Sequence, residues 1–263
     1  MKANEKEKEH LTIEQQIELL KCRNLKINNV SKTKWYLERY NYQLIINGYN
    51  DPFIKSFDRR KNLYDYDSSF ESIIELFDYD RMISDIILSE IQNIERTLSH
   101  KIAYIISEEM FTYKQKNGKI FKIDDKLFKI LFKEKIPFNE FKSEITKYVN
   151  KINDNLFIKY HSNIEDIPIW TLSLSWTFGN LIFIFRNLNK NLQKKIINSY
   201  GNLSWNIDQF TKIMIVLNRI RNRTAHNNVL YNVSIKLNNK MKSFFEINED
   251  LRINFSSNSL RLF

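Results

Sequence analysis

The sequence predicts an all-α protein, and three observations predict it. Glycine and proline are very scarce, 4 and 3 in 263 residues, where sandwiches and dinucleotide-binding sheets need many of both for turns and phosphate loops. Apolar residues recur at helical spacing through most of the chain. Hydrophobic residues make up 43 %, enough for a substantial core in a chain of this length.

The elements follow in order. Residues 1–10 read as a charged tail without the apolar stretch of a signal peptide. "TIEQQIELLKCRNL" opens with Thr12 and Gln15 at capping-box spacing and repeats Ile13, Ile17 and Leu20, so it is a helix. Cys22, the one cysteine, excludes an internal disulfide framework and a Cys-based zinc site. Its neighbours Leu19 and Leu25 place it in a core. "SKTKWYLERYNYQLIINGY" is a second amphipathic helix ending near Gly48 and Pro52, and residues 50–66 are loop.

The clearest helix starts at Ser68 and Glu71, another capping-box pair. Its stripe is Phe70, Ile73, Ile74, Phe77, Ile83, Ile87, Ile91, Ile94, Leu98, Ile102 and Ile105, with a break expected near Asp78–Asp80. Residues 112–126 read as a basic loop, and 125–132 and 139–159 as helices. Pro168 starts a buried helix over 169–187, in which Trp170, Trp176 and Phe178 are core residues. Helices over 190–200 and 206–224 follow, and the tail is ambiguous. The reading is an N-terminal helical part (1–66), a helical core (67–232) and a C-terminal extension of open structure (233–263). No run has the roughly 18–20 uncharged residues that would span a bilayer, so a cytoplasmic protein without a membrane partner is expected.

The formal charge of +10 favours a polyanionic partner, nucleic acid above all. Cationic chemistry concentrates in "RIRNRTAHNN", at the end of an apolar helix. Asn222 and His226 are four residues apart and share a helix face, and Arg221 lies about 140° round from His226. The group offers a bidentate phosphate anchor, a titrating imidazole and an amide to fix its tautomer. RNA carries its own nucleophile, the 2′-OH, so cleavage needs only proton transfer and charge stabilisation. No metal or cofactor is expected: HExxH, metal-spaced acids, GxxxxGK[ST] and GxGxxG are all missing from the sequence. The alternative is a helix end whose arginines and histidine complement the helix dipole.

Arg219 and Arg223 flank the motif as further RNA contacts. Arg96 and His100, four apart, offer a second basic surface, or else a solvated face partnered with Glu95 or Glu90. "TYKQKNGKIFK" interleaves Lys114, Lys116, Lys119 and Lys122 with aromatic rings, a pattern suited to single-stranded RNA and also to an exposed loop.

"LNRIRNRTAHNNVLYN" resembles the C-terminal signature of the Abi-like abortive-infection family, the AbiD/AbiF group. "LTIEQQIELLKCRNLKI", "YLERYNYQLIINGYNDPF", the long helix with its Tyr-Asp-Arg, and "IPIWTLSLSWTFGNLIFIFRNL" resemble further blocks of that family in the same order. The family is in turn similar to the HEPN superfamily of α-helical, often metal-independent ribonucleases that share an Arg-x4–6-His signature. The resemblance implies a HEPN-like bundle with added N-terminal helices, phage defence, and RNA as substrate or bound partner. It assigns Arg221 to phosphate binding, His226 to acid/base transfer and Asn222 to the polar position after the arginine. Because HEPN nucleases commonly pair two motifs, it also implies a homodimer or an RNA-held assembly. Where the family has cysteine, a second histidine, arginine and tryptophan, this chain has Thr224, Asn227, Val229 and Tyr231. The glutamate often found four residues after the tryptophan is Leu174 here. A non-catalytic RNA-binding regulator or scaffold, held to a small RNA, is the alternative function.

Overall fold

A computed structural model describes residues 10–55, 63–117, 125–133, 137–146, 167–201 and 204–232, with short stretches at 234–236, 255–256 and 259–261. It is an all-α fold. The α-helices among the described residues are α1 (Ile13–Cys22), α2 (Val30–Arg39), α3 (Phe70–Asn117), α4 (Asp125–Leu131), α5 (Phe138–Thr146), α6 (Ile169–Leu172), α7 (Phe178–Asn187), α8 (Lys190–Asn198) and α9 (Ile207–Ala225). The tail contributes three short strands, β1 (Ser234–Lys236), β2 (Phe255–Ser256) and β3 (Ser259–Arg261), of which β2 and β3 pair antiparallel.

The chain forms two compact units. The first comprises residues up to Ile86, then Arg223–Ser234 and Ile253–Phe263, and the second comprises Ile87–Asn222 and Ile235–Arg252. In the first, α1 opens with the expected box: Thr12 Oγ1 accepts from Gln15 N and Gln15 Oε1 from Thr12 N. Cys22 is exposed, contrary to expectation, because α1 is closing there and Ile17 and Leu20 take the buried face. The second predicted helix is shorter than expected. It stops at Arg39, and the chain continues through a π-helical turn, Gln43–Asn47. Ile45, Ile46, Tyr49, Ile73, Ile74 and Phe77 pack with Ile17, Leu20 and Leu37 in this unit's core.

α3 starts one residue later than the expected cap. Ser69 Oγ accepts from Ser72 N, while Ser68 Oγ donates to the Phe53 carbonyl. Glu71 instead receives the backbone N–H groups of Asn28 and Asn29, at 3.2 and 2.9 Å. The helix is unbroken through Asp78–Asp80 and runs for 48 residues, about 72 Å. The two aspartates do not break it, because each accepts a tyrosine hydroxyl at 2.6 Å: Tyr36 to Asp78 and Tyr49 to Asp80. α3 also runs on to Asn117, so Lys114 and Lys116 are helical and not part of a loop.

In the second unit, Ile91, Leu98, Ile102 and Ile105 of α3 are buried as predicted, whereas Ile94 is exposed. Phe128, Phe132, Phe141 and Phe183 form a ring cluster between α4, α5 and α7. The helix expected over 169–187 is interrupted. A 3-10 turn spans Ser173–Ser175, Trp176 is extended, and Thr177 caps α7 in a reciprocal box with Asn180. Ser173 Oγ and Ser175 Oγ donate back to the Trp170 and Leu172 carbonyls at 2.7 Å, which competes with continued helix. The interruption leaves Trp170 58 % exposed, correcting its assignment to the core, while Trp176 and Phe178 are buried.

Candidate functional site

The end of α9 is shaped by the residues that follow it. The last helical residue is Ala225, and Asn227 takes a left-handed backbone, φ 54°. Asn227 N donates to Thr224 O and Asn228 N to Arg223 O, both at 3.0 Å, which is a Schellman closure with asparagine in the usual glycine position. His226 is therefore the C-cap residue, and it is exposed.

This turn is held by the Asp80–Arg81 pair within the first unit. Arg81 donates to Asn227 Oδ1 at 3.1 Å and to the Asn228 carbonyl at 2.9 Å. Asp80, buried to 1 %, accepts from Leu230 N at 2.9 Å as well as from Tyr49 and from Arg81, the last at 3.2 Å. Burial first, and then the hydrogen bond to Asp80, push the Tyr49 hydroxyl above the ordinary tyrosine range. Tyr231 stacks on Tyr49 with centroids 5.4 Å apart. Gly48 lets the chain come this close, since a Cβ there would sit 2.9 Å from Val229 Cγ2. Arg223 is half-buried, and its Nε donates to the Val229 carbonyl. Thr224 is buried.

The second unit carries a cavity of about 690 Å³. Glu95, Arg96, Ser99, His100, Trp170 and Arg221 are among its lining residues. Arg221 Nε lies 3.5 Å from Glu95 Oε2, whose side chain is only 13 % exposed, so Glu95 and not a solvated partner holds the guanidinium. Arg221 Nη1 also donates to Asn222 Oδ1 at 3.4 Å, and Asn222 itself is exposed. Arg96 is exposed and donates to Asn93 Oδ1 at 2.6 Å. His100 is exposed with its ring 6.2 Å from that of Tyr104. The structure thus brings Arg221, Arg96 and His100 to one cavity, where Glu95, expected as a partner of the Arg96 and His100 face, pairs with Arg221, and Trp170, expected in the core, is an exposed ring.

Arg219 is exposed on α9, and Lys114 is half-buried on α3. Lys119 and Lys122 lie outside the described residues. Among the described residues, no group of three or more His, Cys, Asp or Glu is placed to hold a metal ion, and no helix is long and apolar enough to cross a membrane. A signal for the cavity did exist in the sequence. Gln92, Glu95, Arg96, Ser99, His100, Tyr104 and Ser107 recur at three- and four-residue steps, a polar stripe on one face of α3.

The family model described as Abi-like protein matches residues 35–232, a span holding the Asp80–Arg81 pair, the cavity and the motif. The chain belongs to the Abi-like family. Membership ties it to abortive infection, a form of phage defence. No curated protein and no solved structure matches the chain. The Abi-like span starts inside α2, at Trp35, and closes just beyond the Tyr49–Tyr231 stack.

Proposed function

We propose that this Abi-like protein is a HEPN-like, metal-independent ribonuclease of the AbiD/AbiF type, acting on RNA in the cytoplasm. His226 removes the proton of a ribose 2′-OH. The oxygen attacks the adjacent phosphorus, the bond to the 5′-oxygen breaks, and that oxygen takes up a proton. The products are a 2′,3′-cyclic phosphate and a 5′-hydroxyl. Arg221 binds the phosphoryl oxygens as negative charge develops on them, and Asn222 orients the motif. Two copies pair, so that each chain's single motif works with that of a second chain.

The observation that carries this reading is the place of Arg221. A guanidinium that merely complemented a helix dipole would point to open solvent. Arg221 instead lines a cavity with Arg96 and His100 and is steadied on its Nε side by Glu95. Replacing His226 by Ala is expected to lower cleavage of a fluorogenic RNA about 10²–10⁴-fold. The helical circular dichroism should not change, because His226 is exposed. Undiminished cleavage by that variant would sink the assignment.

The Arg221–Glu95 ion pair also favours a second reading, a non-cleaving RNA-binding regulator or scaffold, since it neutralises part of the phosphate anchor. Under that reading, wild-type protein retains RNA and leaves it intact.

A further inference from the structure

The cavity that Arg221 lines has a neighbour within the second unit. A second cavity of about 540 Å³ lies toward the C-terminal end of α3, with Lys101, Glu108 and Lys195 among its lining residues. His100 and Tyr104 line both, so the two adjoin. Their joint lining on α3 runs from Gln92 to Glu108, about 24 Å at 1.5 Å per residue.

Cations outnumber acids along this wall. Arg96, Lys101, Lys195 and Arg221 line it, against Glu95 and Glu108. Arg96 donates to Asn93 Oδ1 and Lys101 to the Ser199 carbonyl, both at 2.6 Å, and these neutral acceptors leave the charge uncompensated. Lys195 pairs with Glu109, as Arg221 does with Glu95, but the Lys195 side chain is 50 % exposed. An exposed pair of that kind contributes little, so a phosphate can take the ammonium at small cost. His100, exposed in the shared stretch, adds charge when protonated.

Flat rings lie among these cations. Trp170, in the Arg221 cavity, is 58 % exposed, and Tyr104, in the shared stretch, is 61 % exposed. Positive charge interleaved with exposed rings suits a single strand, whose unpaired bases turn out to stack while its phosphates follow the charge. A duplex keeps its bases stacked inside and cannot use the rings. At 3.4 Å per stacked nucleotide the wall takes about seven nucleotides, and about four when the strand is stretched to splay its bases.

We propose that the two cavities form one groove that holds a single RNA strand along α3, from the phosphate anchor Arg221 to Lys195. This deepens the ribonuclease reading and rests on it for RNA as the strand. The groove makes the protein select unpaired stretches of several nucleotides over short fragments and paired RNA.

The test uses the full chain and 2′-O-methyl RNA of mixed sequence, from a dinucleotide to about twelve nucleotides. These probes lack the attacking hydroxyl and so report binding alone by fluorescence anisotropy. Affinity is expected to rise steeply up to about four to seven nucleotides and then level off. Tyr104→Ala, at an exposed position, should weaken binding of the longer probes about tenfold. Lys195→Ala should lower the slope of log affinity against log salt by about 0.7, the share of one phosphate contact on a single strand. Wild-type protein that fails to bind, or binds a dinucleotide as tightly as the longer probes, overturns the proposal. So does a duplex of the same length that displaces the strand equally well, or a pair of variants that both bind like wild type. Cleavage assays keep the two readings apart. Undiminished cleavage by His226→Ala, with binding that depends on Tyr104 and Lys195, removes the nuclease assignment and keeps the groove. His226-dependent cleavage with both groove variants neutral removes the groove alone.

Discussion

Asp80 carries three donors on one buried oxygen, from Tyr49, Arg81 and the Leu230 backbone. Each of those donors belongs to a different stretch of chain, and all lose their acceptor together if the carboxylate goes. Asp80→Ala is expected to cost about 3–5 kcal/mol, the range for removing one member of a buried ion pair. At this size that is a fall in melting temperature of roughly 6–20 °C, read by calorimetry. A change below about 2 °C would mean that the pair is not holding the turn. Asn227 makes the same point for the backbone. With only 4 glycines in the chain, asparagine takes the left-handed closing position at both Asn24 and Asn227. At this scale the end of the helix that carries Arg221 and Asn222 was readable, because the apolar period stops there. The sequence was not readable for Asp80 or Glu95. A carboxylate on a helix looks solvated until a partner distant in sequence is known to reach it, and Glu95 meets Arg221 126 residues later.

Helix existence was legible wherever the apolar stripe was long, as in α1, α3, α8 and α9, since burial of one face is what stabilises such elements. Interruptions were read less well, in both directions. The acidic Asp78–Asp80 segment looked like a break and is not one, because Tyr36 and Tyr49 supply hydroxyls to it. The apolar 169–187 segment looked continuous and is broken by serine back-bonding and the Thr177 cap. The Tyr36–Asp78 contact has a consequence for pH. Burial first, and the hydrogen bond to Asp78 next, push the Tyr36 hydroxyl up to about 12. Above pH 10 the unfolded chain loses this proton while the folded chain still holds it, so the unfolded state binds fewer protons and stability falls as pH rises. The contribution is fully present below pH 10 and is lost between about 10 and 12. Tyr36→Phe should have a lower urea midpoint than wild type at pH 8, and its midpoint should fall less steeply from pH 9 to pH 11. Parallel curves for the two proteins would show that the hydroxyl contributes nothing to α2–α3 packing.

At the scale of the whole molecule, the proposed ribonuclease activity raises the question of how many chains one reaction needs. Cleavage by 2′-OH attack requires a base for the nucleophile and an acid for the departing 5′-oxygen. The motif supplies one imidazole per chain, and Asn227 stands where the family has a second histidine. A closed pair of identical chains brings two motifs together and meets both needs without any new residue. If one reaction uses an imidazole from each copy, a pair with a single His226 is inactive. In an equal mixture of wild-type and His226→Ala proteins that has exchanged subunits, a quarter of the pairs are wild type in both copies. Activity should therefore fall to about a quarter of the wild-type value at the same total protein, where chains acting alone would keep about half. Subunit exchange is checked by light scattering and by a tag on one variant. A mixture that has exchanged subunits and keeps half of the activity, or a wild-type protein that cleaves RNA as a monomer, would place the whole reaction within one chain. The second proton transfer would then fall to another group, and Glu95, paired with Arg221 and lining the same cavity, is the first to replace.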